Sequence, residues 1–118
     1  MLSKKKLYLF ISIFILFAID RVSKILILKN FLNDSSSEIF INSFFNFSLA
    51  WNSGIGFGML QIEYSFFYLI ISIIITMINF VLIYWMLASS NYLESIFVSV
   101  ILGGSLGNLF DRYYYNAV

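Results

Sequence analysis

Apolar residues in this chain gather into three long runs instead of alternating with polar ones. The clearest, from Tyr64 to Ala88, contains no charged residue. A helix needs about 20 mostly apolar residues to cross a bilayer, and this run supplies them. The first run begins at Leu7, behind Lys4, Lys5 and Lys6. It is uncharged and, but for Ser12, apolar to Ile19 and resumes through Leu28, with Asp20, Arg21 and Lys24 embedded in it. The third extends from about Leu93 to Phe110 and is interrupted by Gly103, Gly104 and Gly107. The pattern predicts helical spans over about 7–29, 64–88 and 93–110 and a loop over 30–63, within a single membrane domain, 1–118. In that loop Phe45, Phe47, Leu49 and Trp51 alternate with Asn46, Ser48, Ala50 and Asn52. That is the period of a half-buried strand, so a small sheet or flap resting on the membrane surface is expected. The fold class is therefore an all-α transmembrane helical bundle with a small β-strand cradle on one face.

The first run also has the basic start and short apolar core of a cleaved signal peptide. No small-x-small cleavage site follows it, since Ala18 is succeeded by Ile19, Asp20 and Arg21. The apolar pattern then continues, which favours an uncleaved span. Lys4–Lys6 should hold the N-terminus in the cytoplasm under the positive-inside rule. The segment 30–63 has no Lys or Arg, as expected of an external loop. Three crossings then bring Asp111 to the outer face. Asp20, thirteen residues after Leu7, lies roughly 20 Å along its helix. Two carboxylates on different helices thus reach similar depth.

Composition narrows the chemistry. Of the 118 residues, 61% are hydrophobic and 11% charged, against about 25% charged in soluble domains. The net charge of +1 argues against a nucleic-acid partner, which calls for a concentrated basic face. With neither cysteine nor histidine, the chain lacks thiolate nucleophiles and the usual ligands and bases of zinc or Ser-His hydrolysis. No metal or cofactor is expected. The six carboxylates, the lysines and the tyrosines remain for acid–base work.

Charged groups inside a membrane span are costly and point to function. Asp20, Ser23 and Lys24 fall at i, i+3 and i+4, on one helix face. An Asp20–Lys24 ion pair is the plain expectation, with direct substrate contact by Asp20 as the alternative. Gly104, Asn108 and Asp111 share a face of the third span. Ser95, Ser99, Gly103 and Gly107 form an adjoining stripe of small residues, which lets a neighbouring helix approach closely. Arg112 serves either as an interface anchor or as part of a site. Asn52-Ser-Gly54-Ile-Gly56-Phe57-Gly58 is either a loop leading into a helix or a backbone held close to another group.

Three motifs in order resemble the lipoprotein signal peptidase (signal peptidase II) family. Asp20-Arg-Val-Ser-Lys24 is similar to Asp-x-x-(Thr/Ser)-Lys. Asn52-Ser-Gly54-Ile-Gly56-Phe57-Gly58 is similar to Asn-x-Gly-x-Ala-Phe-Gly, with Gly56 in the alanine place. Gly103-Gly-Ser-Leu-Gly107-Asn108-Leu-Phe-Asp111-Arg112 is similar to Gly-Gly-Ala-x-Gly-Asn-x-x-Asp-Arg. The resemblance implies four membrane helices, of which three are present, and a multi-pass protein of the bacterial cytoplasmic (inner) membrane. It implies a metal-free aspartic endopeptidase at the external face that removes signal peptides from diacylglyceryl-modified prolipoproteins, with those peptides and membrane lipids as partners. It makes Asp111 the first catalytic aspartate and Asn52, Gly54, Asn108 and Arg112 the substrate-binding residues, with Asp20 and Lys24 in support. In the family the stretch after Asp-Arg continues into Val-Val-Asp-Phe. A later Phe-Asn-x-Ala-Asp supplies the second catalytic aspartate, ahead of the fourth helix. Here Asn116 stands where the family often has glycine, and Val118 matches the first valine. The partner aspartate is expected to be missing, and this chain alone to be inactive. Lys24, one turn from Asp20, neutralises it and argues against Asp20 as the substitute. Two other readings are an inactive remnant that binds lipidated signal peptides and a small membrane transport or assembly subunit. Oligomeric state is left open.

Overall fold

A computed structural model describes residues 4–33, 38–52 and 65–118. The first helix, α1 (Lys4–Asn33), runs unbroken through 30 residues, roughly 45 Å at the helical rise. The embedded charges do not interrupt it because they are matched by partners described below. A hairpin follows, β1 (Glu38–Asn42) and β2 (Phe45–Ser48), paired antiparallel. Its register places Ile39 opposite Phe47 and slips between Phe40 and Asn42. The turn is held by Asn42, whose Oδ1 accepts from the Phe44 N–H at 2.9 Å. Asn side chains commonly close turns in this way.

Two further helices complete the described fold, α2 (Ser65–Ala88) and α3 (Tyr92–Tyr115). The connection at 89–91 is short and strongly tied. Asn91 caps α3 by accepting from the Leu93 N–H at 3.1 Å. Glu94 accepts from Ser89 Oγ at 2.6 Å and from Trp85 Nε1 at 2.9 Å, which clamps the end of α2 to the start of α3.

α3 packs along both α1 and α2. The small core joins Leu9 and Ile13 of α1, Met86 of α2, and Val98 and Leu102 of α3. The small-residue stripe is what allows the close approach. Ser95, Ser99, Gly103 and Gly107 are all buried. A Cβ on Gly103 would stand 2.6 Å from the Leu16 Cβ, and one on Gly107 would fall onto the Asp20 carboxylate. Ser99 Oγ meets Ser12 Oγ at 2.9 Å across the same seam. A Cβ on Gly104, one residue off the stripe, would meet nothing within 4 Å among the described residues.

The outward faces of the helices are apolar. Phe14, Phe80 and Val81 are each more than 60% exposed, a surface that a water-soluble monomer would bury. Phe66–Ala88 and Tyr92–Tyr115 are long and apolar enough to cross a membrane. The described molecule is thus mostly helical with one small sheet, and its surface fits a transmembrane protein.

Three expectations need adjustment. α1 ends at Asn33 instead of 29, and α3 continues past 110 to Tyr115. There Asn116 adopts the left-handed conformation, φ 57° and ψ 23°, and closes the helix. The strand expected to be half-buried is shorter than the alternation from 45 to 52, and all four β2 residues are exposed. Among the described residues no element covers the hairpin, so alternation there leaves both faces open. Leu49 and Trp51 leave the strand and line a cavity instead.

Candidate functional site

Helix packing brings the charged residues of α1 and α3 together at one end of the bundle. Asp20, Arg21 and Lys24 lie on α1, Asn108 and Asp111 on the last two turns of α3. The glycine at 107 is the enabling feature, because the Asp20 side chain occupies the space a Cβ would fill.

The charges form a closed ring. Arg21 Nη2 meets Asp20 Oδ2 at 2.8 Å, and Arg21 Nη1 meets Asp111 Oδ1 at 2.6 Å. Lys24 Nζ meets Asp20 Oδ1 at 3.0 Å and Asp111 Oδ2 at 2.6 Å. Each cation touches both acids, and each of the four carboxylate oxygens faces a cation. Lys24 also donates to Asn108 Oδ1 at 2.9 Å. Asp111 is the buried member, its side chain 5% exposed and that of Arg21 12%, whereas Asp20 and Lys24 are partly exposed at 21% and 30%. Buried charges persist only when paired and hydrogen-bonded, and here two positive charges balance two negative ones.

A cavity of about 210 Å³ opens beside the ring. Lys24 and Asp111 supply its charged edge, and Ile27, Leu49, Trp51 and Tyr115 give it apolar walls. Trp51 and Tyr115 meet with ring centroids 5.8 Å apart. Val118 reaches the same cavity, because its N–H and C=O exchange hydrogen bonds with the backbone of Asn52 at 2.9 and 2.7 Å. The chain beyond α3 is therefore paired with the segment that follows β2.

The structure brings Asp20, Lys24, Asn108 and Asp111 into one cluster. The expected Asp20–Lys24 pair is present, and both members also reach α3 through the ring. Ser23, on the same face by spacing, is not in the cluster, since its Oγ donates to the Asp20 carbonyl. Asn52 is tied through its backbone to Val118, which lines the cavity. Arg112 turns the other way, its Cζ 5.3 Å over the Tyr68 ring of α2. Gly54, with Gly56, Phe57 and Gly58, lies outside the described residues. No group of three or more metal-type ligands occurs among the described residues.

Sequence reasoning missed two features. Arg21 was only a flanking charge, because residues i and i+1 do not share a helix face. The reach of a guanidinium overcomes that separation. Tyr115 was beyond the expected end of its helix, and its only signal was the aromatic run after Arg112.

A charge-balanced cluster beside an apolar cavity, in a bundle with apolar outer faces, fits a membrane protein. The chain belongs to the signal peptidase (SPase) II family, a family of lipoprotein-processing peptidases, which it matches over residues 12–118. It is 39% identical to the lipoprotein signal peptidase of Pelagibacter ubique, over 97% of this chain and 69% of that protein. Its identity to the Rickettsia conorii lipoprotein signal peptidase is 34%, over 97% of this chain and 59% of that protein. For the Staphylococcus haemolyticus lipoprotein signal peptidase the identity is 35%, over 92% and 69%. The chain thus spans between 59% and 69% of the length of these curated relatives. No solved structure matches it.

Proposed function

We propose that this chain is the substrate-holding part of a membrane peptidase that removes signal peptides from diacylglyceryl-modified prolipoproteins. The reaction would take place at the outer face of the bacterial cytoplasmic membrane. The observation that carries this reading is the cavity: apolar walls suit a lipidated residue, and the charged edge with Asn108 suits the peptide amides beside it. α1 acts as a third span, with Lys4–Lys6 on the cytoplasmic side and the ring in the outer half. The apolar hairpin rests on the outer membrane surface.

Within this site Lys24 and Asn108 face the substrate. Asn108 spends its Oδ1 on Lys24, which leaves its amide N–H groups to donate to a peptide carbonyl. Asn52 holds Val118 at the cavity through its backbone, with Gly54 in the segment that follows. Arg112 joins α3 to α2. Asp111, the first catalytic aspartate by the resemblance, is held at the cavity edge by its contacts in the charge ring. Both of its oxygens lie 2.6 Å from a cation, one from Arg21 and one from Lys24. Asp20 is engaged in the same way. Hydrolysis by paired carboxylates needs one that activates water and one that donates a proton. In the family that the chain resembles, further aspartates stand in Val-Val-Asp-Phe and Phe-Asn-x-Ala-Asp. The Asn52–Val118 pairing would start the first of those motifs at the cavity.

The test is a titration of the protein in nanodiscs with a synthetic diacylated signal peptide. Saturable binding should weaken about tenfold, roughly 1.4 kcal/mol, when Trp51 becomes Ala. Equal affinity for the same peptide without its acyl chains would overturn the substrate assignment. In the full-length enzyme, Asp111→Asn should lower thermal stability as well as cleavage. Cleavage that survives within a few-fold would remove Asp111 from the reaction.

A further inference from the structure

One member of the charge ring belongs to no motif. Arg21 occupies an open position of Asp-x-x-(Thr/Ser)-Lys, yet the ring closes only through its guanidinium. Without it, two carboxylates would share the single ammonium of Lys24. Asp111 Oδ1 would lose its donor while remaining buried.

The guanidinium is also preset by aromatic packing. Its Cζ stands 4.8 Å over the Phe110 ring. That ring meets Phe17 of α1 edge-on at 6.2 Å and stacks on Tyr114 at 5.5 Å. A planar fork that stacks and bonds two acids at once is a task for arginine. Lysine, a point charge on a flexible stem, cannot reproduce it. Gly107 and the Asp20 carboxylate meet directly behind this fork, so the position of Arg21 is tied to the closest approach of α1 and α3.

We propose that Arg21 is a positioning residue. Acting through Asp111, it holds the end of α3 against α1 and thereby sets the cavity edge formed by Lys24, Asn108 and Asp111. Asp20 is then the counter-charge that Arg21 requires. The consequence for substrate rests on the peptidase reading above, whereas the charge coupling rests on geometry alone. A failure of one is therefore distinguishable from a failure of the other.

The experiment is a double-mutant cycle on thermal unfolding of the 118-residue protein in detergent. Arg21→Gln and Asp111→Asn should each lower the unfolding midpoint by about 5 °C or more. The double variant should lose clearly less than the sum, because it removes opposite charges together. Arg21→Lys should recover less than half of the loss. Asp20→Asn combined with Arg21→Gln, again neutral, should be more stable than Arg21→Gln alone. Additive losses, a full recovery by lysine, or an Arg21→Gln protein as stable as the parent would each overturn the proposal. Should Arg21→Gln not fold, the neutral Asp20→Asn/Arg21→Gln protein carries the test. Recovery of a folded protein supports the proposal, and its absence overturns it.

Discussion

Gly104 and Gly107 lie three residues apart on α3, in opposite surroundings. A methyl group at 107 would collide with the Asp20 carboxylate, whereas one at 104 would meet nothing within 4 Å among the described residues. Gly107→Ala must therefore part α1 from α3 or push Asp20 out of the ring. Overpacking of this kind typically costs 1–3 kcal/mol, and the broken charge ring adds to it. Gly104→Ala should be neutral or stabilising by up to about 1 kcal/mol, from helix propensity alone. Thermal unfolding of the two variants side by side checks this. Equal behaviour would mean that the seam is looser than described. At this scale the sequence showed the small-residue stripe and the Asp20–Lys24 pair, because both follow from helical spacing within one segment. It placed Gly107 on that stripe and Gly104 beside it, but not Asp20 opposite Gly107, since that depends on the register of α1 against α3.

The ends of the helices show what local chemistry can do. Asn91 caps α3 with its side chain, and Asn116 stops it by turning left-handed at φ 57°. A side chain other than glycine or Asn pays about 1–2 kcal/mol for that conformation. Asn116→Ala should accordingly lose about 1 kcal/mol of stability and loosen the Asn52–Val118 pairing, which lies two residues beyond. Asn116→Gly should keep both. Amide hydrogen exchange at Val118 measures the effect: faster exchange is expected in the alanine variant and parent-like protection in the glycine variant. The residue type at 116 already suggested a left-handed turn. The elements were legible to within a few residues at their ends, where caps and aromatic runs outlast the apolar pattern. β2 was less so, because alternation predicts a strand but not what covers it.

For the whole molecule, the described surface sets the environment. Apolar side chains face outward along all three helices, and two of the helices are long and apolar enough to cross a membrane. The proposed topology places the hairpin outside and the 89–91 connection inside. The absence of native cysteine makes single reporters clean. A membrane-impermeant maleimide should label Ser43→Cys in intact cells and Ser90→Cys only after permeabilisation. The reverse pattern would invert the topology and place the charge ring on the cytoplasmic side.

By itself the sequence determined the helical runs, the composition that excludes thiolate and histidine chemistry, and the motifs that align with the family. Each of these is written in spacing along one segment or in residue type, where short-range physics decides. Only the tertiary structure decided that Arg21 completes the ring, that Asp111 has both oxygens occupied, and that Trp51, Tyr115 and Val118 share one cavity. Those facts depend on the relative register of α1 and α3 and on where the segment after β2 lies. That register is set by close packing at Gly103 and Gly107 and by charge balance around the buried Asp111. Both are properties of two helices together, which neither segment carries alone.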